Sequence, residues 1–266
     1  MATGNGTILE LRLEAEGLSG QITCPPKLRP APGQYLVAAG PDPGEALPTV
    51  LFPGGFDLPA QGKSTPAALY VAPPLPPSWS VGMPLVLRGP LGSGFHMPPS
   101  ARRVALACLD GEPFRLLPLV DQALRQRAAV AIYAAAAHRG ADTLHSADTL
   151  RGADTHRGAG AHHGASTPAG LPEDVEVLPI DLLPEAPAWA DFLAIDANRA
   201  RLPELRTRLG LAPFQQLSCQ AQVLVRTPMP CAGLAECGIC AVSTRKGWAL
   251  SCIDGPVFNF HQLEGS

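Results

Sequence analysis

Four cysteines near the end of the chain restrict its fold and chemistry more than any other sequence feature. Cys231, Cys237, Cys240 and Cys252 are spaced C-x5-C-x2-C-x11-C. Four converging thiolates select zinc or an iron–sulfur cluster over hard cations such as Mg²⁺ or Ca²⁺. The chain has seven cysteines, an odd number. An odd count with four cysteines so close together is typical of metal binding rather than of disulfides.

The spacing favours one of these two centres. A structural zinc site usually combines two short C-x2–4-C knuckles, whereas here only Cys237 and Cys240 form one. A loop with three thiolates and a distant fourth is typical of plant-type 2Fe–2S sites, which begin C-x4-C-x2-C. This chain has one extra residue in the first gap. The pattern therefore predicts a 2Fe–2S cluster on all four cysteines, with structural zinc as the alternative.

The residues between these cysteines suit a loop that wraps a cluster. Gly233 and Gly238 can adopt backbone conformations that turn N–H groups toward the sulfides. The segment AVSTRKGWALSC (241–252) is typical of a β-hairpin that returns the fourth cysteine to the loop. We expect core packing for the three other cysteines, which lie in apolar contexts, namely Cys24, Cys108 and Cys219.

Composition limits the remaining possibilities. The 266 residues suffice for one large or two ordinary domains with a small appendage. A net charge of −3 offers no basic surface, so we expect no nucleic-acid partner. The longest apolar run, 128–137, is too short to span a bilayer. The N-terminus does not resemble a secretory signal, so we expect a cytoplasmic protein with no membrane partner.

The first hundred residues are typical of a small antiparallel β-barrel. Leu9, Leu11 and Leu13 alternate with charged residues, which predicts a half-buried strand. Pro- and Gly-rich turns separate the later apolar runs, as in small barrels. Further short strands are predicted at 35–39, 69–72 and 85–88.

The next part of the chain changes to an α/β pattern. RVALAC (103–108), a helix over 113–127 and AAVAIYAAAA (128–137) form a strand–helix–strand unit. Such a unit predicts a parallel sheet in a Rossmann-like domain. Further strands are predicted at 175–180, 192–196 and 217–225, with a helix at 199–209.

Residues 138–170 interrupt the α/β pattern. A short unit around Ala-Asp-Thr repeats there, and the segment contains five of the seven histidines but almost no large apolar side chain. Such a segment cannot bury enough surface to offset its ordering entropy, so we expect a disordered insertion. A histidine-rich metal site is the alternative.

The cysteine segment resembles a known family. The run PCAGLAECGICAV (230–242), the fourth cysteine and the box DGPVF (254–258) are similar to the iron–sulfur end of the electron-transfer subunit of type B dihydroorotate dehydrogenase. Upstream, APGQYL (31–36) and GPLGSGF (89–95) resemble the flavin-binding barrel of ferredoxin-reductase-like proteins. The resemblance implies that electrons pass from a reduced nicotinamide through FAD and the cluster to a separate catalytic subunit, a dihydroorotate dehydrogenase-like flavoprotein.

Two stretches depart from that family. Flavin barrels of this type place an arginine against the FAD diphosphate, but no arginine occurs between Arg29 and Arg88, and Lys63 is the only cation in that span. The turn after the first α/β strand is LDGEPF, with Asp110 and Glu112 where a glycine-rich turn would bind a pyrophosphate. We therefore expect no NAD(P) binding, whereas the sequence leaves open whether the barrel binds FAD.

Together these patterns predict an α+β multidomain protein. It comprises a flavin-reductase-like antiparallel β-barrel (1–100), a Rossmann-like α/β domain (101–216) and a small C-terminal 2Fe–2S module (217–266). We predict a non-catalytic electron-transfer subunit of an oxidoreductase that relays electrons to a partner flavoenzyme. One alternative is a self-contained NAD(P)H–FAD reductase, and another is a redox-sensing or docking protein on a degenerate reductase scaffold. No catalytic residue is predicted, because His96 and His261 are isolated in the sequence.

Overall fold

A computed structural model describes residues 2–41, 47–55, 68–135, 171–212 and 215–263. The predicted insertion at 138–170 and the cation Lys63 lie outside these residues. None of the described helices is long and apolar enough to cross a membrane.

The N-terminal sheet is the predicted antiparallel β-barrel. Its strands are β1 Ala2–Glu14, β2 Gly17–Thr23, β3 Tyr35–Ala39, β4 Thr49–Leu51, β5 Ala68–Leu75 and β6 Pro84–Leu91. They follow the order β4-β3-β6-β1-β2-β5, and every neighbouring pair is antiparallel. The sheet nearly closes because the segment after β4 bonds to β5. There Ala72 N–H donates to the carbonyl of Phe52 at 3.0 Å, and Gly54 N–H donates to that of Tyr70 at 2.9 Å.

The first strand buries a different face from the one its leucine pattern suggests. Ile8 is fully buried, whereas Leu13 is 83% exposed and Leu9 also lies at the surface. A bulge between Ile8 and Glu10 shifts the register against β2. A bulge of this kind moves later side chains relative to the barrel interior, so the leucine alternation does not mark the buried face.

The second sheet is the predicted Rossmann-like α/β sheet. Its strands are β7 Arg103–Cys108, β8 Ala129–Ala134, β9 Val175–Pro179, β10 Phe192–Asn198, β11 Gln220–Arg226 and, after a hairpin, β14 Val257–Asn259. The order is β14-β11-β10-β7-β8-β9, with five parallel strands and an antiparallel β14. Helix α1 (Leu117–Arg125) connects β7 to β8 and buries Leu119 and Val120 against the sheet.

The helices of this domain are shorter than their sequence patterns predict. Turns of 3-10 helix at 114–116 and 199–204 precede α1 and α3 (Leu205–Arg208), and α2 spans only Ala186–Trp189. Pro203 lies inside the second of these turns. Because proline lacks a backbone N–H and clashes with the preceding turn, it prevents one continuous α-helix there.

The cysteine segment is attached to the edge of the α/β sheet. Strands β11 and β14 both come from residues 217–266, and they pair with each other at that edge. Between them, β12 (Ala241–Thr244) and β13 (Gly247–Leu250) form the predicted hairpin as a separate two-stranded sheet. The loop before the hairpin is therefore held at both ends by ordered strands.

Candidate metal centre

The hairpin brings the fourth cysteine beside the third. Three of the predicted ligands lie in the loop 229–240, and Cys252 follows β13. The N–H of Ser251 donates to the carbonyl of Cys240 at 3.0 Å, which continues the hairpin ladder toward the loop. As a result, the Sγ atoms of Cys240 and Cys252 lie 3.3 Å apart.

Cys231 and Cys237 form a second pair. The Cys237 thiol hydrogen-bonds to the Cys231 sulfur, as do the backbone N–H groups of Cys237 and Glu236, while the N–H of Leu234 donates to the Cys231 carbonyl at 3.2 Å. Burial raises the pKa of Cys231, but these hydrogen bonds outweigh it and lower the pKa to about 6. Cys231 is therefore mainly a thiolate at neutral pH, which is the form that binds metals.

The buried pair has the opposite electrostatics. Burial, followed by the adjacent Cys240 thiol, raises the pKa of Cys252, while the backbone N–H of Ala235 donates to its sulfur and acts against that rise. A metal cation would supply the positive charge that keeps such a buried sulfur deprotonated.

The loop turns its N–H groups toward the sulfurs through left-handed backbone conformations. Residues with positive φ are Ala232 (51°), Gly233 (79°), Ala235 (61°) and Gly238 (67°). Such conformations point successive N–H groups into one concavity that favours negative charge. The two glycines were predicted for this purpose. The two alanines were not, because a Cβ makes the left-handed region costly.

The pairwise arrangement fits a 2Fe–2S cluster. In the part of the chain that the structure describes, no group of three or more His, Cys, Asp or Glu side chains could hold a metal ion. The four thiols instead form two close pairs. A structural zinc ion takes four ligands at one point, whereas a 2Fe–2S cluster takes two protein ligands on each of its irons. The donor set therefore suits the cluster better than zinc.

The barrel forms one wall of the centre. The phenol O–H of Tyr35 donates to the carbonyl of Cys252 at 2.9 Å, and the guanidinium of Arg88 donates to the carbonyl of Ala232. Burial raises the pKa of Tyr35 far above its usual value, so the phenol stays a neutral donor. A Cβ on Gly233 would lie 2.6 Å from the Tyr35 oxygen, so the loop approaches the barrel as closely as glycine allows.

The α/β domain holds the other side of the loop. The guanidinium of Arg199 donates to the carbonyls of Ile239 and Ala241, at 2.7 and 2.8 Å. In the hairpin, the carboxylate of Asp254 accepts from the N–H of Leu250 at 2.7 Å. Both domains therefore contribute side chains that fix the cysteine loop.

Strand β4 and the residue that follows it lie against the apolar cluster that contains two of the cysteines. Val50 and Phe52 pack against the same apolar cluster as Tyr35 and Cys252. Residues 47–55 contain no basic side chain. This stretch therefore offers no positive charge to an FAD diphosphate.

The crevice where such folds bind nucleotides is filled by charged side chains. Doubly wound sheets bind nucleotides outside the carboxyl ends of their strands, at the point where strand order reverses, here between β7 and β10. Asp110 accepts from Arg201 Nε at 2.8 Å and from the N–H of Asn198 at 3.0 Å. Arg226 lies 3.5 Å from the same carboxylate and donates to Asp196 at 2.7 Å. The arginines thus offset the repulsion that we expected from Asp110. The obstacle to a nucleotide is instead that these paired side chains lie in the crevice where it would bind.

A carboxylate from the barrel completes this network. Glu16, in the turn between β1 and β2, accepts a hydrogen bond from the backbone N–H of Glu112. A Cβ on Gly111 would overlap the Glu16 carboxylate. The buried guanidinium of Arg115 lies 3.8 Å from Glu16 and 3.5 Å from Asp196. Free N–H groups ahead of a helix are what a pyrophosphate requires, and Glu16 occupies one of them.

The remaining predicted residues stay apart from the centre. Cys24 is buried in the barrel core and Cys108 in the α/β domain, as expected. Cys219 is partly buried against the apolar core of the α/β domain. His96 and His261 are both exposed. Among the described residues, neither histidine forms a hydrogen bond with any of the four thiols.

Sequence analysis missed the barrel's contributors to these sites, namely Tyr35, Arg88 and Glu16, and also the arginines that hold the loop and fill the crevice. Tyr35 lies within APGQYL and Arg88 immediately before GPLGSGF. Both segments were identified by resemblance to a flavin barrel, which says nothing of a contact with cysteines. Glu16 lies in a short polar turn whose local sequence predicts only exposure.

The fold resembles that of ferredoxin reductases, and the cysteine centre lies in its C-terminal segment. Residues 229–264 match the family model described as the iron-sulfur cluster binding domain of dihydroorotate dehydrogenase B. The likeness to dihydroorotate dehydrogenase B therefore covers the segment that holds the four cysteines. No curated protein sequence matches the chain significantly.

Solved structures share the fold at low identity. The NADH-dependent reduced ferredoxin–NADP oxidoreductase of flavin-based electron bifurcation is 13% identical, with a TM-score of 0.66 over 99% of this chain and 91% of its own. A ferredoxin NADP⁺ reductase from Neisseria gonorrhoeae with bound FAD and NADP is 12% identical, with a TM-score of 0.51 over 85% of this chain and 99% of its own. These likenesses establish the succession of β-barrel and α/β domain.

Proposed function

We propose that the chain is the electron-transfer iron–sulfur subunit of an oxidoreductase, with a 2Fe–2S cluster on Cys231, Cys237, Cys240 and Cys252. The observation that supports this most is the arrangement of these thiols as two pairs inside the segment that matches an iron–sulfur domain. A bound cluster of this type supplies one-electron transfer, with a potential set by charge, hydrogen bonds to sulfur and solvent exposure.

The chain's own residues control those three properties. The N–H groups of Glu236 and Cys237 donate to the Cys231 sulfur, where they stabilise negative charge. On the other side, Cys240 and Cys252 are buried, so water is excluded from the sulfurs that face the barrel. The protein therefore favours an added electron without exposing the whole centre to solvent.

The exposed side of the loop is where we place the partner. Cys237 reaches the surface, and Leu234, Ile239 and Ile253, close to the ligands in sequence, are each about half exposed. Apolar side chains around an exposed redox centre favour a docking protein, because they are costly to leave in water. The family match implies a catalytic partner subunit, and we propose a flavoprotein similar to dihydroorotate dehydrogenase.

A self-contained NAD(P)H–FAD reductase is less well supported. Glu16, Asp110 and Arg226 fill the crevice that a nicotinamide dinucleotide would use. Residues 47–55 of the barrel also contain no cation for the FAD diphosphate. We therefore propose that electrons reach the cluster from a donor other than NAD(P)H bound to this chain.

Anaerobic purification tests the cluster. We expect red-brown protein with about two iron and two sulfide per chain, and an electron paramagnetic resonance signal after reduction with dithionite. Stoichiometric zinc without visible absorbance would contradict the proposal. The same preparation, analysed for bound flavin, shows whether FAD is a second cofactor.

Stopped-flow mixing tests the partner. The dithionite-reduced chain, freed of reductant, should be reoxidised by a dihydroorotate dehydrogenase-type flavoprotein faster than by an unrelated flavoprotein of the same potential. Equal rates with both would contradict the proposed partner. Addition of NADH to the oxidised chain should leave the cluster oxidised, and rapid bleaching would assign the chain to the reductases.

A further inference from the structure

We propose that Tyr35 and Arg88 of the barrel are positioning residues of the cluster site, holding the backbone that carries the ligands. The inference rests on the proposed function, since it concerns the way in which the thiolate loop is kept around a cluster. It assigns to the barrel a part in the redox centre that does not require the barrel to bind a flavin.

The first reason is the conformational cost of the ligand loop. Four of its residues have positive φ, and two of them, Ala232 and Ala235, are alanines. A Cβ makes the left-handed region unfavourable, and such conformations persist only where surrounding contacts determine them. The loop therefore needs bonds from outside itself to keep this shape.

The second reason is the direction of the loop's carbonyl groups. The N–H groups of Ala235 and Glu236 donate to ligand sulfurs, and the N–H of Leu234 donates to the carbonyl of Cys231 at 3.2 Å. None of these donors is therefore available to a carbonyl elsewhere in the loop. Ala232 and Cys252 are themselves buried, and buried carbonyls need donors. In each of these two residues, a barrel side chain supplies the donor.

The two donors differ in chemistry but act on matching positions. Tyr35 Oη donates to the carbonyl of Cys252, the fourth ligand, at 2.9 Å. Arg88 donates to the carbonyl of Ala232, the residue directly after the first ligand. One hydrogen bond from the barrel therefore fixes each end of the ligand set. The bonded residues are 217 positions apart in sequence for Tyr35 and Cys252, and 144 apart for Arg88 and Ala232.

The Tyr35 side chain cannot easily move away from this position. It is fully buried, it packs on Phe52 with ring centroids 5.9 Å apart, and its hydroxyl faces Gly233. A rigid donor sets the distance between barrel and loop. Arg88 adds a positive charge on the same side, which favours the more negative, reduced state of a nearby cluster.

The experiment compares Tyr35→Phe and Arg88→Met with the wild-type chain, purified anaerobically. Tyr133→Phe removes the hydroxyl of another buried tyrosine, in the α/β domain, and Arg12→Met removes a surface charge of the barrel. Arg88→Lys keeps the charge and one donor. The measurements are iron release to a chelator, midpoint potential, the paramagnetic spectrum of the reduced protein, and hydrogen exchange of residues 231–240 and 250–254.

We expect Tyr35→Phe and Arg88→Met to release iron about tenfold faster, which corresponds to the loss of one hydrogen bond of roughly 1.4 kcal/mol. Both should exchange loop amides faster, and Arg88→Met should have a lower potential. Arg88→Lys should recover most of the wild-type potential. Tyr133→Phe and Arg12→Met should resemble wild type in all four measurements.

The outcomes separate this inference from the proposed function. A wild-type cluster combined with unchanged release, spectrum, potential and exchange in Tyr35→Phe and Arg88→Met would overturn the positioning role and leave the function intact. Zinc or no metal in the wild type would overturn the function. In that case, faster loop exchange only in Tyr35→Phe and Arg88→Met would still support the positioning role.

Discussion

Arg226 donates to the fully buried carboxylate of Asp196 at 2.7 Å, across the carboxyl ends of two adjacent parallel strands. Arg226 also donates to the backbone carbonyl of Asp110 at 3.0 Å, and Arg115 lies 3.5 Å from Asp196 on the other side. Removing such charges from water is costly, and their mutual attraction offsets that cost only while the pairing is complete. The crevice is therefore closed by a network of charged side chains, and the stability of that network depends on every charge being paired.

Replacing Arg226 by Met should destabilise the protein. The change leaves Asp196 buried with Arg115 as its remaining cation, so we expect a loss of about 3 kcal/mol in the free energy of unfolding. Urea denaturation of the anaerobic holo-protein measures this loss. Arg125→Met, which removes an exposed pair with Asp121, should change the free energy by at most about 0.5 kcal/mol. Equal effects of the two substitutions would contradict this account.

The filled crevice also predicts the response to nicotinamide nucleotides. Calorimetry with NADH and NADPH on the holo-protein should show no binding at ligand concentrations up to about 1 mM, the range of very weak affinity. Binding would require the Glu112 N–H to leave Glu16 and the turn at Asp110 to leave its arginines. Glu16→Gln alone should not create a site, because the arginine network remains. Micromolar NADH affinity accompanied by dye reduction would contradict both expectations.

The cysteine centre could be predicted from sequence because its determinants are local. The hairpin turn and the spacing of the loop are enough to bring Cys252 next to Cys240, and their Sγ atoms do lie 3.3 Å apart. The same holds for strands such as β7, where Arg103 and the apolar run that follows it form a strand with the predicted bounds. In these cases neighbouring residues alone determine the outcome.

The contacts that surround the centre could not be predicted in this way. Tyr35 meets Cys252, Arg88 meets Ala232, and Glu16 meets Glu112 at separations of 217, 144 and 96 residues. Such pairs are fixed by how the two sheets pack, which no local pattern encodes. The exposed Leu13 illustrates the same limit, since a bulge in β1 overrides its alternation.

Substitution of single cysteines separates ligands from core residues. Cys237→Ser should abolish the visible absorbance, because serine cannot replace a soft thiolate on iron. Cys24→Ser removes a thiol that is buried in the barrel core and should leave the absorbance intact, at a modest cost in stability. Iron and sulfide analysis of both variants makes the comparison quantitative. Loss of colour in Cys24→Ser with a folded barrel would contradict the assignment.

Alkylation of the metal-free protein tests the electrostatics of the loop. The pKa of Cys231 is lowered to about 6 by hydrogen bonds to its sulfur, whereas burial and Cys240 raise that of Cys252. Only the thiolate reacts, so iodoacetamide should label Cys231 at a nearly constant rate above about pH 7 and more slowly as the pH falls through 6. Cys252 should be labelled slowly throughout. Mass spectrometry of peptides follows both, and an ordinary thiol profile for Cys231 would contradict the prediction.

Two glycines of the loop allow the cost of a left-handed backbone to be separated from the cost of steric contact with Tyr35. Gly233 and Gly238 have φ of 79° and 67°, so alanine at either position costs about 1 kcal/mol from the left-handed conformation alone. At Gly233 the added Cβ would also lie 2.6 Å from the Tyr35 oxygen, whereas nothing lies within 4 Å at Gly238.

Gly233→Ala must therefore push the phenol away from the Cys252 carbonyl, which adds the penalty of an unmade buried hydrogen bond, about 1–3 kcal/mol. We expect Gly238→Ala to keep its full iron content with a slightly lower melting temperature. Gly233→Ala should melt several degrees lower than Gly238→Ala and release iron faster to a chelator. Equal melting temperatures and release rates would mean that the approach of Tyr35 to the loop does not constrain the centre.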